Sequence, residues 1–297
     1  MAGQAGVGVD APLWQRGEAT GFPGDRYGHV VTEVQAIVDR NLPGYAVETV
    51  VLIGEGQDNL AYEVNGELIV RVSRRGAVAR EARLLAAVAK FSPLPIPEPV
   101  FTAGNYLAYR KLPGTPLIDL PWPPSGTVLP ALVDLLTVLH AVPEERLTGL
   151  VDVDDDPLTA WRDETAATYR SLAGELPAPF RAALEAFLAA PPPGEPPVRV
   201  FSHNDLGIEH VLVEPDTGAV TGVIDWSDAA ITDPAYDYGL LYRDLGPAAL
   251  PREPGLRERA VFYGRCAVVE DLAYGLESAR EKYVTKCLRS LPWLFGP

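Results

Sequence analysis

A chain of 297 residues that is 47% apolar is long enough to bury two packed cores and too ordinary in composition for a fibrous or largely disordered protein. Its 25 Lys and Arg stand against 40 Asp and Glu, a formal charge of −15. That balance argues against nucleic acid or an anionic membrane as partner and would attract a cationic small molecule, although excess acid also serves solubility alone.

Cys266 and Cys287 are the two cysteines, too few for a disulfide framework or a thiolate metal site, so reduced, buried thiols are expected. The N-terminal stretch lacks the basic start and apolar core of a signal peptide, and no apolar run approaches a membrane span, so a cytoplasmic protein is expected.

In chain order, residues 1–26 are rich in Gly, Ala and Pro without periodicity, which predicts a flexible arm that Trp14 and Phe22 could pin to the body. From Tyr27 to Asn41, Val30, Val31, Val34, Ile37 and Val38 recur at helical spacing, predicting an amphipathic helix that ends before Pro43-Gly44. Ala46 to Ile53 reads as a strand running into Gly54-Glu55-Gly56-Gln57-Asp58-Asn59. Leu60 to Val64 and Leu68 to Ser73 are strands around the hairpin signal Asn65-Gly66. A turn with Gly54 and Gly56 between strands lets the backbone approach a phosphate closely, and taken alone it is equally a plain tight turn.

Strand alternation puts Arg71 on the face opposite Val70 and Val72, and a buried cation there needs an anionic partner. The helix expected over Ala79 to Ala89 supplies the natural one in Glu81. Pro93 to Pro99 is an extended connector. Strands at Val100 to Ala103 and Tyr106 to Leu112 then finish an N-terminal lobe of residues 27–112, closed by Pro113-Gly114.

Residues 113–297 read as a helical lobe apart from one block. Leu132, Leu135, Leu136 and Leu139 form a core stripe on a helix from Leu129 to Val142, with His140 packed near its end. Asp152 to Asp156 is an acidic turn that could border a substrate cleft. Further helices are expected over Leu158 to Leu172, Pro179 to Ala189, Leu256 to Leu276 and Glu277 to Leu291.

The exceptional block is FSHNDLGIEHVLVEPDTGAVTGVIDWSDAAITD, Phe201 to Asp233. Val211 to Glu214 and Ala219 to Ile224 flank the turn sequence Pro215-Asp216-Thr217-Gly218 and should pair as an antiparallel hairpin. If Glu214 faces Ala219, Val211 faces Gly222, and His210 lies beside Asp225 at the open end, with His203 and Asp205 in the loop that leads there. Phosphoryl transfer needs a carboxylate to deprotonate a hydroxyl and ligands for a divalent ion that bridges nucleotide phosphates. Asp205 is the candidate base, and His210 with Asp225 the candidate ligands.

His203-Asn204-Asp205, a ligand position five residues after that Asp, Val223-Ile224-Asp225-Trp226, and Asp233-Pro234-Ala235-Tyr236-Asp237 resemble the aminoglycoside phosphotransferase family of antibiotic kinases. The resemblance implies a bilobal, protein-kinase-like α+β fold with a small antiparallel sheet lobe and a larger helical lobe. It implies Asp205 as base, position 210 and Asp225 as Mg2+ ligands, Asp237 as a brace for the catalytic loop, and ATP or GTP as phosphoryl donor. Arg71 falls where kinases carry a phosphate-binding Lys, paired with Glu81. The segment from Leu107 to Leu112, with Tyr109 and Lys111, becomes the hinge that holds the base, while Gly54 and Gly56 lie over phosphates and His203 braces the loop. Glu270 and Asp271 fall where such kinases gather carboxylates against cationic substrates.

Two departures stand out: His210 replaces the usual Asn, as in macrolide kinases, and Arg71 replaces Lys. The acceptor implied is a hydroxyl-bearing, cationic small molecule, an aminoglycoside, a macrolide, a cationic peptide antibiotic or a non-antibiotic metabolite. Two other readings stay open. A metal-dependent hydrolase would use His203, Asp205, His210 and Asp225 as direct ligands, and a non-catalytic nucleotide-binding regulator would need no acceptor.

Overall fold

The computed structural model describes residues 28–56, 59–74, 76, 78–172 and 174–296. The expected arm over residues 1–26 lies outside them, as do Gln57 and Asp58 of the glycine-containing turn.

The sheet lobe is built from α1 (Gly28–Asn41), β1 (Val50–Glu55), β2 (Asn59–Val64), β3 (Leu68–Ser73), α2 (Ala79–Val88), β4 (Pro99–Ala103) and β5 (Tyr106–Arg110). Every pairing in the five-stranded sheet is antiparallel, in the order β1-β2-β3-β5-β4. Val30, Val34 and Val38, four residues apart on α1, share a core with Tyr62, Val64, Val70 and Val72. Ile69 on the other face of β3 packs with Leu84, Leu85 and Val88 of α2. As the central strand, β3 is covered on both faces, which is why its run of apolar residues is nearly unbroken. Arg71 takes the Ile69 face, as the alternation predicts.

The helical lobe follows with β6 (Thr115–Pro116), α3 (Val128–His140), β7 (Asp152–Val153), α4 (Leu158–Leu172), α5 (Ala178–Ala189), β8 (Val200–Ser202), β9 (Val211–Val213), β10 (Val220–Val223), β11 (Ala230–Thr232), α6 (Ala235–Leu245), α7 (Pro254–Glu277) and α8 (Glu281–Phe295). The leucine stripe of α3 is fully buried. Two short sheets, β10-β9-β6 and β7-β11-β8, support the catalytic block. The strands β6, β7, β8 and β11, of two or three residues each, carry no periodicity, and the sequence reading lacks them, along with α6. Among the described residues no helix is long and apolar enough to cross a membrane.

Two expectations are corrected. The hairpin register slips by one at its open end: Val211 faces Val223 and Leu212 faces Gly222, because the pairing shifts at Thr221. That residue's hydroxyl is drawn instead to the Pro113 carbonyl at 2.6 Å. Gly222 lies so close to Leu112 that a Cβ would meet its Cδ1 at 2.7 Å. The last two helices are also not contiguous. Ala279, at φ 53°, turns the chain, and the Arg280 N–H returns to the Gly275 carbonyl at 2.8 Å.

Candidate active site

The loop between β8 and β9 carries the chemistry, and acids on α6 pin it. Asp237, in the first turn of α6, accepts the N–H groups of His203 at 2.9 Å and Asn204 at 3.0 Å. Asn204 itself sits at φ 62°, a conformation that Asn tolerates better than most residues. Asp244, two turns further along α6, accepts the Ile208 N–H at 3.1 Å. Glu209 folds back over Gly207, where a Cβ would run into its carboxylate at 2.6 Å, and is held by Lys286 Nζ at 2.6 Å.

On this frame His203 is completely buried, with Nε2 donating to the Ile224 carbonyl at 3.1 Å and its ring 4.6 Å from that of Trp226. Burial pulls it down to about 3, so it is a neutral brace. His210 donates from Nδ1 to the Asp205 carbonyl at 2.8 Å. In its neutral form the Nε2 lone pair is then on the Asp225 side, 3.8 Å from Oδ2.

Burial alone would lower His210, but Asp205, Glu209 and Asp225 outweigh it and push it up to about 9. Burial raises Asp205 to about 8 against the pull of His210, whose Nδ1 is 3.3 Å from Oδ2. Asp225, at φ 61°, is held below the usual carboxylate range: burial works against this, and Arg71 first, then His210, overcome it. Arg71 Nη1 is 3.4 Å from Asp225 and is hydrogen-bonded to Glu81. A continuous string of contacts, Asp205 to His210 to Asp225 to Arg71 to Glu81, therefore crosses from one lobe to the other.

The residues expected around a nucleotide divide. Gly54 follows a shift in the β1–β2 pairing, and a Cβ on Gly54 or Gly56 would meet only ordinary contacts, at 3.6 and 3.8 Å. Packing within the protein does not demand either glycine. Tyr109 is buried beside Arg71, Asp225 and Glu81, which act on its hydroxyl, and its backbone is paired with β3 and β4. It thus contributes a ring rather than a free amide. Lys111 is not brought to the site. Its N–H is spent on the Glu67 carbonyl at 2.8 Å and its ammonium on Glu63 at 2.5 Å.

Residues 49–267 match the family model described as the phosphotransferase enzyme family. The chain belongs to that family. No curated protein matches it, but solved structures do. The GDP complex of wild-type aminoglycoside 2'-phosphotransferase-IIIa is 22% identical with a TM-score of 0.65, over 88% of this chain and 97% of that one. Macrolide 2'-phosphotransferase type I is 22% identical with a TM-score of 0.60, over 89% and 97%. Macrolide 2'-phosphotransferase MphH from Brachybacterium faecium is 21% identical with a TM-score of 0.56, over 87% and 97%. These likenesses carry the fold, and the bilobal, kinase-like α+β architecture expected from the sequence is the one observed.

Several residues of this phosphotransferase site are absent from the sequence reading. Lys286 is fully buried and sits among Glu209, Asp271 at 2.8 Å and Asp244 at 3.7 Å. Arg243 grips Asp244 and Asp271 at 2.8 and 2.7 Å. Asp271, in the region where the resemblance puts substrate-facing carboxylates, is thus held by two cations of the protein. Asp154 of the acidic turn does reach the site, accepting from Asn204 Nδ2 at 3.2 Å. Asp237 and Asp244, seven residues apart, share a helix face, and that spacing is the signal that could have found the second brace.

Among the described residues no three His, Cys, Asp or Glu side chains are placed to hold a metal ion together. The four-ligand hydrolase shell is therefore not formed, since His203 is turned to a backbone carbonyl. The pair His210 and Asp225 does fit a cation of the kind that phosphotransferases complete with substrate phosphates and water. A backbone carbonyl orients the imidazole, as is common for metal-binding histidines.

Proposed function

We propose that this phosphotransferase moves the γ-phosphoryl group of ATP or GTP to a hydroxyl of a small, cationic antibiotic, an aminoglycoside, a macrolide or a cationic peptide antibiotic, inactivating it and so conferring resistance. The observation that carries the reading is the string of side chains from Asp205 to Glu81 across the cleft. It joins a candidate base, Asp205, to the buried cation Arg71 in one run of contacts, which supports transfer between a bound phosphate and an acceptor hydroxyl.

The division of labour follows from the chemistry. Asp205 accepts the proton of the acceptor hydroxyl, the role that phosphoryl transfer asks of a positioned carboxylate. Arg71, aimed by Glu81, orients the phosphates, for which a planar guanidinium offers paired donors. Gly54 and Gly56 leave room for phosphate at the turn, and the segment from Leu107 to Leu112 is the proposed hinge for the base. The lobes divide near Pro113. His203 and Asp237 hold the loop so that Asp205 keeps its aim. His210 and Asp225 would hold Mg2+, which supplies charge neutralisation to the phosphates when bound.

Several solved structures of similar fold are described by name as aminoglycoside or macrolide phosphotransferases, which supports an antibiotic acceptor over another metabolite. The test is a panel of antibiotics and amino alcohols incubated with ATP or GTP, read by the mass gain of one phosphate on the acceptor. Nucleotide binding without transfer to any acceptor would favour the non-catalytic regulator instead.

A further inference from the structure

The helix that carries Glu81 is also gripped from the opposite lobe. Arg80, the preceding residue on α2, donates from Nε to the Leu150 carbonyl at 2.9 Å and from Nη1 to the Asp152 carboxylate at 2.8 Å. One guanidinium thus spans two acceptors, 70 and 72 residues away in the chain, and its planar fork fixes a direction as well as a distance. Asp152 lies on β7, which pairs with β11 at Ala230. In turn β11 pairs with β8, the strand that runs into the loop of His203 and Asp205. The contact therefore ends on the sheet that leads to the candidate base.

Val78, Leu84, Leu85 and Val88 anchor α2 in the core, but Val78 supplies no side-chain cap to the first turn. Beside that turn lies a cavity of about 280 Å³, lined in part by Arg71, Arg80, Glu81, Leu150, Asp152 and Trp226. A hollow on that side gives Glu81 no wall of packed atoms, so the spacing there is left to the two hydrogen bonds of Arg80. Glu81 is next in sequence and is hydrogen-bonded to Arg71. A first turn that swung away at Arg80 would carry Glu81 with it and leave Arg71 to Asp225.

We propose that Arg80 is a positioning residue for the phosphoryl donor: by clasping Leu150 and Asp152 it fixes the first turn of α2, so that Glu81 keeps Arg71 aimed at the phosphates. This rests on the reading of Arg71 as the phosphate-binding cation. The clasp itself is partly exposed, and an exposed ion pair adds little to stability. Its effect is therefore on the aim of Arg71 and not on the fold.

The experiment compares wild type, Arg80→Ala, Arg80→Lys, Asp152→Ala, Glu81→Ala and the double variant Arg80→Ala/Glu81→Ala. Arg83→Ala, at an exposed site on the same helix, is the control. Amide hydrogen exchange over Ala79 to Leu85 is measured without nucleotide, and urea midpoints are recorded. Calorimetry gives the affinity for ATP and GTP and for adenosine and guanosine, which lack phosphates. Arg80→Ala should speed exchange and weaken triphosphate binding by about fivefold, with nucleoside affinity and the urea midpoint unchanged. Asp152→Ala should do the same, Arg80→Lys should fall between, and Arg83→Ala should match wild type. In the Glu81→Ala background, Arg80→Ala should cost less than about twofold more, because its effect runs through Glu81. Unchanged exchange or unchanged triphosphate affinity in Arg80→Ala overturns the proposal, as does a full further loss in the Glu81→Ala background. If wild type binds neither ATP nor GTP while Arg80→Ala still speeds exchange, the clasp stands, and the nucleotide reading is overturned together with the donor role.

Discussion

Arg71 of the sheet lobe and Asp225 of the helical lobe approach to 3.4 Å, so the two halves of the molecule meet through opposite charges at the centre of the cleft. Arg71 is only 7% exposed, and a buried guanidinium needs compensation. It has two carboxylates, Asp225 and Glu81, where one would neutralise it. The second negative charge faces Nε2 of His210 across 3.8 Å, and the imidazole balances it while protonated. A divalent ion that engaged Asp225 would leave more of Arg71 for an anionic ligand.

Asp205→Asn should lower kcat by about 10²-fold or more, the usual worth of a positioned base. Nucleotide affinity should stay within about twofold, because Asp205 is separated from Arg71 by His210 and Asp225. Single-turnover kinetics with titrated nucleotide binding checks both. Turnover within tenfold of wild type would remove Asp205 from the role of essential base.

Arg71→Ala and Glu81→Ala should each reduce kcat/KM for the nucleotide, and the double variant should lose little more than Arg71→Ala alone. The two side chains are hydrogen-bonded, and residues in direct contact couple by about 0.5–3 kcal/mol in a double-mutant cycle. Additive losses would mean that the pair does not act as a unit in solution.

The ion pair of Arg71 with Glu81 was legible because strand alternation and the following helix each point one way. His210 and Asp225 were legible as neighbours even though the register read from the hairpin was off by one. The bulge at Thr221 depends on a hydroxyl reaching Pro113, 108 residues earlier, and no local pattern reports such a contact. Lys286 was illegible for a related reason. On a helix it reads as an ordinary surface lysine, and only the fold shows that Glu209, Asp244 and Asp271 surround it. Lys111 went the other way: the resemblance put it in the hinge from Leu107 to Leu112, whereas its N–H goes to Glu67 and its ammonium to Glu63.

His140 gives the fold a sensitivity to acid. Burial pulls it down to about 4, and its ring packs edge-on against Tyr238 at 5.7 Å. The unfolded chain, with a histidine near its reference value of about 6.5, then binds the proton more tightly. The contribution is therefore favourable at neutral pH and is lost as pH falls from about 6.5 towards about 4, at up to about 1.4 kcal/mol per pH unit. Urea unfolding of wild type and His140→Phe between these pH values should show a shallower loss in the variant. Parallel curves would mean that His140 is protonated in the folded protein without cost.

Metal affinity should depend on pH through His210, and over a higher range than a free histidine would give. Without a cation, Asp205, Glu209 and Asp225 overcome burial and hold the imidazole protonated up to about 9. Because its folded value lies above the unfolded one, protonation of His210 stabilises the metal-free fold fully below about 6.5, and that contribution fades as pH rises through about 9. A metal ligand must be neutral, so binding at His210 releases a proton. The apparent affinity for Mg2+ or Mn2+ should then rise by up to about tenfold per pH unit between about 6.5 and 9. In His210→Asn the side-chain amide has no proton to lose, so affinity should be nearly flat with pH and activity should persist at lower pH. His210→Ala should lose both metal affinity and most turnover. Titration calorimetry in buffers of different ionisation enthalpy counts the released proton directly. Proton release by wild type equal to that of His210→Asn would show that the imidazole is not a ligand, leaving Asp225 to hold the cation without it.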